Sequence, residues 1–460
     1  MFAKPTHTLT FLGATLIFAV SASALPTPSG PQYTVSVFAP PPPAALKLSN
    51  PDSITEAEGD IFVTYANASL PDGTSGSSTV VQYSPTGTMI RTYTIVGKND
   101  GLKFNPYTRK IWALRNEDAN PALTIIDPKT GKTTDYTYAQ TPLHGGGYDD
   151  VVFLNGQVFI SASNPTPLQP PTPSTPNGQN IFPSIVKARI VGHQIFVTPV
   201  LNGKDSLIDV ATALPVVAQQ SDPDSLKVDA SGDLVLDSQA DGDLIFLNSP
   251  GSPNQAGLRL HLTNGTANQI TVDDTVFPTA PGGTIFVVDT GGNTVYAVKS
   301  NAYQPGGAYS ASDSDGILGK VDLSTGLVTP IVSGMTSPHG ALFIPAIPDV
   351  SIYRDDDLSL HGGNLNVAFV VTRVGDVSQS IKVNYSVKDL ASERNDDKSF
   401  TGTVTIPAGK SRAEFNVPVT SIVELIEDGV TQSAIVMLEP GQGYNVVRPA
   451  TATVDLRKDF

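Results

Sequence analysis

Six positions along the chain combine residue types that do chemistry with a spacing that would bring them together. Asp52, Asp100, Asp149, Asp224, Asp274 and His339 each open a short apolar run, at intervals of 48 to 75 residues. If those runs are equivalent strands around one axis, five carboxylates and an imidazole converge at one level. Carboxylates at close quarters raise one another's pKa unless a cation sits among them. The pattern therefore predicts a central hard cation such as calcium, or a ligand held by acidic groups, on Asp52, Asp100, Asp149, Asp224 and Asp274. Asp100, Asp274 and the loop residue His144 are the positions expected to reach a bound molecule. A plainer reading stays open beside this one. An Asp ahead of a strand accepts hydrogen bonds from nearby backbone N–H groups, and it recurs wherever the unit recurs. Glu56, Asn116, Glu117 and Asp118 are further oxygen donors that strand ends would present.

Other chemistries find less support. The chain has no cysteine, which excludes thiol chemistry, and its six histidines include no His-x-His or His-x-x-x-His pair of the kind zinc sites use. No Gly-x-Ser-x-Gly elbow occurs. His144 lies in Pro142-Leu143-His144-Gly145-Gly146-Gly147, a glycine-rich loop, whereas His193 and His261 sit inside strand-like runs. A net charge of −15 with no basic cluster repels phosphate backbones, so nucleic acid is not an expected partner.

The elements that must position these residues are strands. Gly59-Asp60-Ile61-Phe62-Val63 and Gly232-Asp233-Leu234-Val235-Leu236 are β-branched-rich and bounded by Gly and Asp, and 40 Gly with 38 Pro argue against long helices. Pro51-Asp52-Ser53-Ile54 recurs as Pro223-Asp224-Ser225-Leu226, and turns such as Asp127-Pro128-Lys129-Thr130-Gly131 and Asp322-Leu323-Ser324-Thr325-Gly326 join strands as hairpins. A unit of about 40 to 50 residues fits a four-stranded propeller blade. The expected fold is all-β: a β-propeller over residues 25–345, with six blades ahead of five, then an immunoglobulin-like β-sandwich over 349–460. The last opening leaves no room for a whole blade, so strand Tyr33–Phe38 is expected to close the ring. Trp112 should pack between blades. The Pro-rich stretch from Asn164 and the segments 142–148 and 303–316 read as surface loops.

Lys4, the apolar stretch Leu9–Val20 and Ala22-Ser23-Ala24 have the order of a signal peptide over 1–24, too short to anchor the chain by a membrane span. The reading is an exported protein, periplasmic or extracellular. It is expected to be a monomer without a membrane span, and the absence of cysteine leans bacterial.

Two resemblances extend this. Val371-Thr372-Arg373-Val374-Gly375-Asp376, Val383-Asn384-Tyr385-Ser386, Gly402-Thr403-Val404-Thr405-Ile406-Pro407-Ala408-Gly409 and Thr451-Ala452-Thr453-Val454 resemble the Calx-beta family. That resemblance implies an immunoglobulin-like sandwich with calcium on carboxylates at one end. It places Asp389, Asp396 and Asp459 as metal ligands, with Glu424, Glu427 and Asp428 only partly keeping the family's paired glutamates. The openings resemble NHL-type and lactonase-type six-bladed propellers in architecture, which implies Asp149, Asp224 and His339, with Asp100, as the residues to test for catalysis. The leading functional expectation is an exported recognition protein binding a small molecule, glycan or protein. The alternatives are a calcium-dependent lactonase-like hydrolase and a cell-surface adhesion component.

Overall fold

The computed structural model describes residues 24–165, 180–266, 269–361, 364–389, 399–418 and 431–457. Residues 1–23, on which the expected signal peptide falls, most of the Pro-rich insert, Asp396, Asp459 and the Glu424, Glu427 and Asp428 group lie outside the described residues. Strand follows strand along the chain, with a single short 3-10 turn at Ala44–Leu46 among the described residues. No helix there is long and apolar enough to cross a membrane.

Residues 27–345 form a propeller-like series of antiparallel strand groups. Pro51–Ala57, Asp60–Tyr65, Ser77–Tyr83 and Met89–Val96 pair in that order. Asn99–Asn105 through Thr133–Tyr138 make the next group, and Val151–Leu154 through Gln194–Asn202 the one after. These two fuse into one eight-stranded sheet by parallel pairing of Thr137 with Gln194 at their outer edges. Pro223–Val228 through Ala256–His261 follow, extended outward by the hairpin Ser206–Asp209 and Pro215–Val217.

The chain then departs from strict succession. Asp274–Val276 heads a sheet completed by Ala308–Ser312, Ile317–Val321 and Val328–Ser333, while the intervening hairpin Gly283–Asp289 and Thr294–Ser300 belongs to the next sheet with Pro338–Pro345. Segment 303–316 is therefore only partly a loop: Ala308-Tyr309-Ser310-Ala311-Ser312 is a buried strand. Its four small side chains and Tyr309 are all buried. The expected closure holds, because Tyr33–Ala39 supplies the outer strand beside Thr294–Ser300.

Each group packs face to face on the next. Phe62, Val80 and Ile95 meet Leu102, Ile111 and Ile126. Trp112 packs between Leu114, Leu123 and the following group's Val151 and Ile160, edge-on to Phe153 at 5.2 Å. Phe286, Val288 and Val295 return to Ile54, Val63 and Val81, which makes the last group a neighbour of the first. Burying one such side chain is worth about 1.5–3 kcal/mol.

Residues 349–457 form two four-stranded sheets packed on Val350, Ile352, Phe369, Val383, Val387 and Val436. They rest on the strand-turn ends of several propeller groups. Ser411 Oγ donates to Glu58 Oε2 at 2.9 Å, Thr279 Oγ1 donates to Asp349 Oδ2 at 2.5 Å, and Tyr107 meets the Tyr353 ring edge-on at 4.9 Å.

Candidate functional site

The inner strands open with a shared irregularity that aims one side chain at the axis. Pro51 pairs with Tyr65 and Ile54 with Val63, so Asp52 and Ser53 together stand opposite Thr64. The same two-against-one arrangement holds Asp100 and Gly101 opposite Leu114, Asp224 and Ser225 opposite Asp237, and His339 and Gly340 opposite Val288. These are β-bulges, which re-aim side chains where a regular ladder would alternate them. In each the first residue lines the cavity, while Gly101 and Gly340 at the second position lie against the neighbouring strand's backbone. Gly is required at two of the second positions: a Cβ on Gly101 would lie 2.0 Å from the Asp149 carbonyl oxygen, and one on Gly340 2.5 Å from that of Asp52.

Asp52, Asp100, Asp149, Asp224 and His339 accordingly line one cavity of about 160 Å³. The fifth aspartate is Asp273, not Asp274. Asp149-Asp150 and Asp273-Asp274 are equivalent pairs whose second members point away. Asp150 Oδ2 accepts from Leu226 N at 3.1 Å with Lys103 Nζ at 3.3 Å, and Asp274 Oδ2 accepts from Ala341 N at 2.7 Å and Lys227 Nζ at 2.8 Å. Asp274 is thus a tie between adjacent groups. Asp237 lies beside it, fully buried, its carboxyl pushed up by burial and by Asp274.

Glu117, Asp118 and Asp222 join the rim, giving eight carboxylates against the two basic residues Lys98 and His339. Carboxylate oxygens of Asp100, Glu117 and Asp149 lie within 4.8 Å of one another. Lys98 Nζ partly offsets them, 2.9 Å from Asp100 Oδ2 and 2.6 Å from Glu117 Oε1, but Glu117 Oε2 is buried with no hydrogen-bond partner. Asp149 and Asp224 are each only 9% exposed, and neither side chain has a hydrogen-bond or ion-pair partner among the described residues. The electrostatics follow. Burial raises Asp149 and Asp224 well above the usual carboxylate range, and Asp100 beside the first and Asp149 beside the second push the same way. Burial and Asp100 also raise Asp52. At Asp100 burial is outweighed by Lys98 and by the hydrogen bond from Asp52, which hold it low. Burial lifts Asp273 to about 7 against the pull of His339. His339 has Nδ1 2.9 Å from the Ser337 carbonyl and Nε2 3.8 Å from Asp273 Oδ1; burial is outweighed by Asp273, so its pKa is raised.

His144 does not reach the cavity. It is buried, with Nε2 2.5 Å from the Gly147 carbonyl and its ring against Tyr148, and burial lowers its pKa. Its loop instead supports Glu117, because Gly147 N donates to the Glu117 carbonyl at 2.6 Å. Glu56 sits at the opposite end of its strand, where its Oε1 accepts from Gly59 N at 2.6 Å. Asp389 ends strand Ile381–Asp389, and its side chain lies outside the described residues. Lys98 and Asp273 are site residues the sequence reading missed. Asp273 was open to discovery, since its pairing with Asp274 repeats Asp149-Asp150, whereas nothing in Gly97-Lys98-Asn99 marks the lysine.

An oxygen-rich, net-negative cavity suits a hard cation. Organic ligands usually occupy pockets of about 300–1,000 Å³, so this one accommodates an ion with its waters and a small polar group.

No family model matches the chain, and no curated protein sequence does. Among solved structures it is similar to virginiamycin B lyase from Staphylococcus aureus, at 10% identity over 84% of this chain and 99% of that one with a TM-score of 0.34. It is similar to a putative gluconolactonase at 9% identity over 76% and 94% with a TM-score of 0.37. The apo Calx CBD1 domain matches at 23% identity over 24% of this chain and 97% of that one with a TM-score of 0.18. These likenesses are of architecture, and the all-β, propeller-like fold rests on the strand pairing described above.

Proposed function

We propose that this protein is an exported binding protein whose propeller-like domain, read as six blades, holds a divalent cation of the calcium type in its channel. In this reading the immunoglobulin-like C-terminal sandwich is a fixed accessory module. The observation that carries it is the convergence of Asp100, Glu117 and Asp149 within 4.8 Å, beside the unpartnered carboxylate of Asp224. Those residues, with Asp52 and Asp273, would hold the ion. Calcium prefers six to eight oxygens, and the carboxylates supply several of them, leaving room for water or a ligand oxygen. A bound ion also removes the mutual repulsion that otherwise keeps some of these groups protonated. The recognised molecule would bind at the channel mouth through that ion.

A second reading, a lactonase-like hydrolase, is favoured by one observation: His339 shares the cavity wall with Asp273, an arrangement suited to moving a proton. The test of the first reading is the melting temperature of the chain from residue 25 onward, in calcium and in chelator, with metal content measured in parallel. A rise of several degrees in calcium, lost in Asp149→Asn, is expected. Equal melting temperatures and no retained metal would leave the carboxylates a structural ring. Turnover of lactones or esters that stops in His339→Asn would select the second reading.

A further inference from the structure

The end of the channel opposite the acidic cavity is covered by the C-terminal sheets, and between the two modules lies a second cavity of different character. An inner pocket of about 240 Å³ is walled by Phe104, Pro106 and Leu342 from the propeller-like domain and by Tyr353 and Val374 from the sandwich. Arg109 and Arg412 also line an outer cleft of about 820 Å³, where Lys110, Lys129 and Lys410 stand among the carboxyls of Glu58, Asp60, Asp127 and Glu414 and Lys110 is paired with Asp127 at 2.5 Å.

The charge of the inner pocket is the reverse of the upper cavity's. Three guanidinium groups, Arg109, Arg373 and Arg412, line the inner pocket against two carboxyls, Glu56 and Glu58. Arg373 donates to the carbonyls of Lys410, Gln379, Val377 and Pro407 at 2.6 to 3.0 Å, and the nearby Asp376 carboxylate offsets part of its charge without an ion-pair contact. Among the described residues, Arg109 pairs with Glu58 at 3.3 Å and Arg412 with Glu414 at 2.9 Å, whose side chain is 56% exposed. Pairs this open exchange readily for a better-placed anion. Burial also lifts the Glu56 carboxyl to about 8, so near neutral pH it contributes little negative charge.

We propose that this cleft binds a small aromatic carboxylate, its ring between Phe104, Pro106, Leu342 and Tyr353 and its carboxylate on Arg412 and Arg109. The volume suits a substituted ring, since an apolar cavity of about 150 Å³ already takes benzene. Guanidinium groups hold a carboxylate bidentately. Apolar walls ending in paired arginines select a molecule that joins those two chemistries, and the net positive charge excludes its cationic counterparts.

The test is titration of the full-length chain with benzoate and with its neutral isostere benzamide, followed by NMR. Benzoate is expected to bind at least about tenfold more tightly than benzamide, because a charge-assisted hydrogen bond carries that much. Arg412→Gln should weaken benzoate about tenfold and leave benzamide unchanged, with Arg412→Lys between the two. Melting temperatures report whether each variant is folded, and Arg109→Gln serves if Arg412→Gln is not. Absence of benzoate binding, equal affinity for the two probes, or a folded Arg412→Gln protein that binds benzoate as the parent does would each overturn the proposal.

Discussion

The two ends of the channel are built from the same strands and carry opposite chemistry. Asp52 and Glu56 belong to Pro51–Ala57, Asp100 and Phe104 to Asn99–Asn105, and His339 and Leu342 to Pro338–Pro345. In each strand the first-named residue enters the acidic cavity and the second, three or four positions on, lines the cleft beneath the sandwich. The bulge separates them. It sets the opening residue against the axis, and the regular ladder that follows returns the chain to ordinary alternation. The inner strands thus present residues to an acidic cavity at one end and to an arginine-lined pocket at the other, with the lysine ties of Lys103 to Asp150 and Lys227 to Asp274 between them.

The largest effect expected from breaking this arrangement comes from two adjacent aspartates. Asp274→Ala removes a buried partner of Lys227 and the acceptor of Ala341 N, and loss of one member of such a pair typically costs about 3–5 kcal/mol. Asp273→Asn, one residue earlier, removes a carboxylate from a crowded acidic cavity and should leave stability unchanged or raise it in the absence of metal. Denaturant unfolding of the two variants in chelator measures the difference, and equal losses would show that the cavity-facing and inward-tied aspartates are not distinct. Gly101→Ala comes next. Its Cβ would collide with the Asp149 carbonyl oxygen, so the strands must part, at about 1–3 kcal/mol. Because that shift moves Asp149 away from Asp100, calcium stabilisation should fall with it, as calorimetry in calcium and in chelator would show.

The bulges also explain how much was legible beforehand. Asp52, Asp100, Asp149, Asp224 and His339 were readable because the opening signature repeats in sequence. Asp273 and Asp274 both precede an apolar run, and only the three-dimensional placement separates them: Asp273 lines the cavity, while Asp274 is tied to Lys227 and Ala341 N. Closure of the ring by Tyr33–Ala39 on the distant strand Thr294–Ser300 follows from the need to cap a free edge. By contrast, nothing local reveals that Gly283–Ser300 pairs with Pro338–Pro345 ahead of Ala308–Ser333, since strand propensity does not encode partner choice. Lys98 was invisible for a related reason: its role arises from a contact with Glu117 on another strand's end. The cationic cleft depends on how two modules dock, which no pattern within either module specifies.

The comparison sharpens further through pH. Glu56 is raised from 4.5 to about 8, first by burial, then by Glu58 and Asp60, with the hydrogen bond from Gly59 N opposing. The folded state therefore holds this proton across a window where the unfolded chain has released it. Stability contributed by the protonated group is fully present below about pH 4.5 and is lost as pH rises towards 8. Glu56→Gln keeps the carbonyl that accepts from Gly59 N and removes the titration, so its melting temperature should decline less than the parent's between pH 5 and 8. Because Glu56 stands at the lower end, that difference should persist in calcium, which relieves only the upper carboxylates; a difference abolished by calcium would mean that the two ends are not electrostatically separate. The smallest effect belongs to the docking contact itself. Ser411→Ala removes one hydrogen bond to Glu58, at about 0.5–1.5 kcal/mol, and leaves the Arg109 pair in place. A larger loss, measured by denaturant unfolding, would make that contact the hinge on which the sandwich closes the lower end.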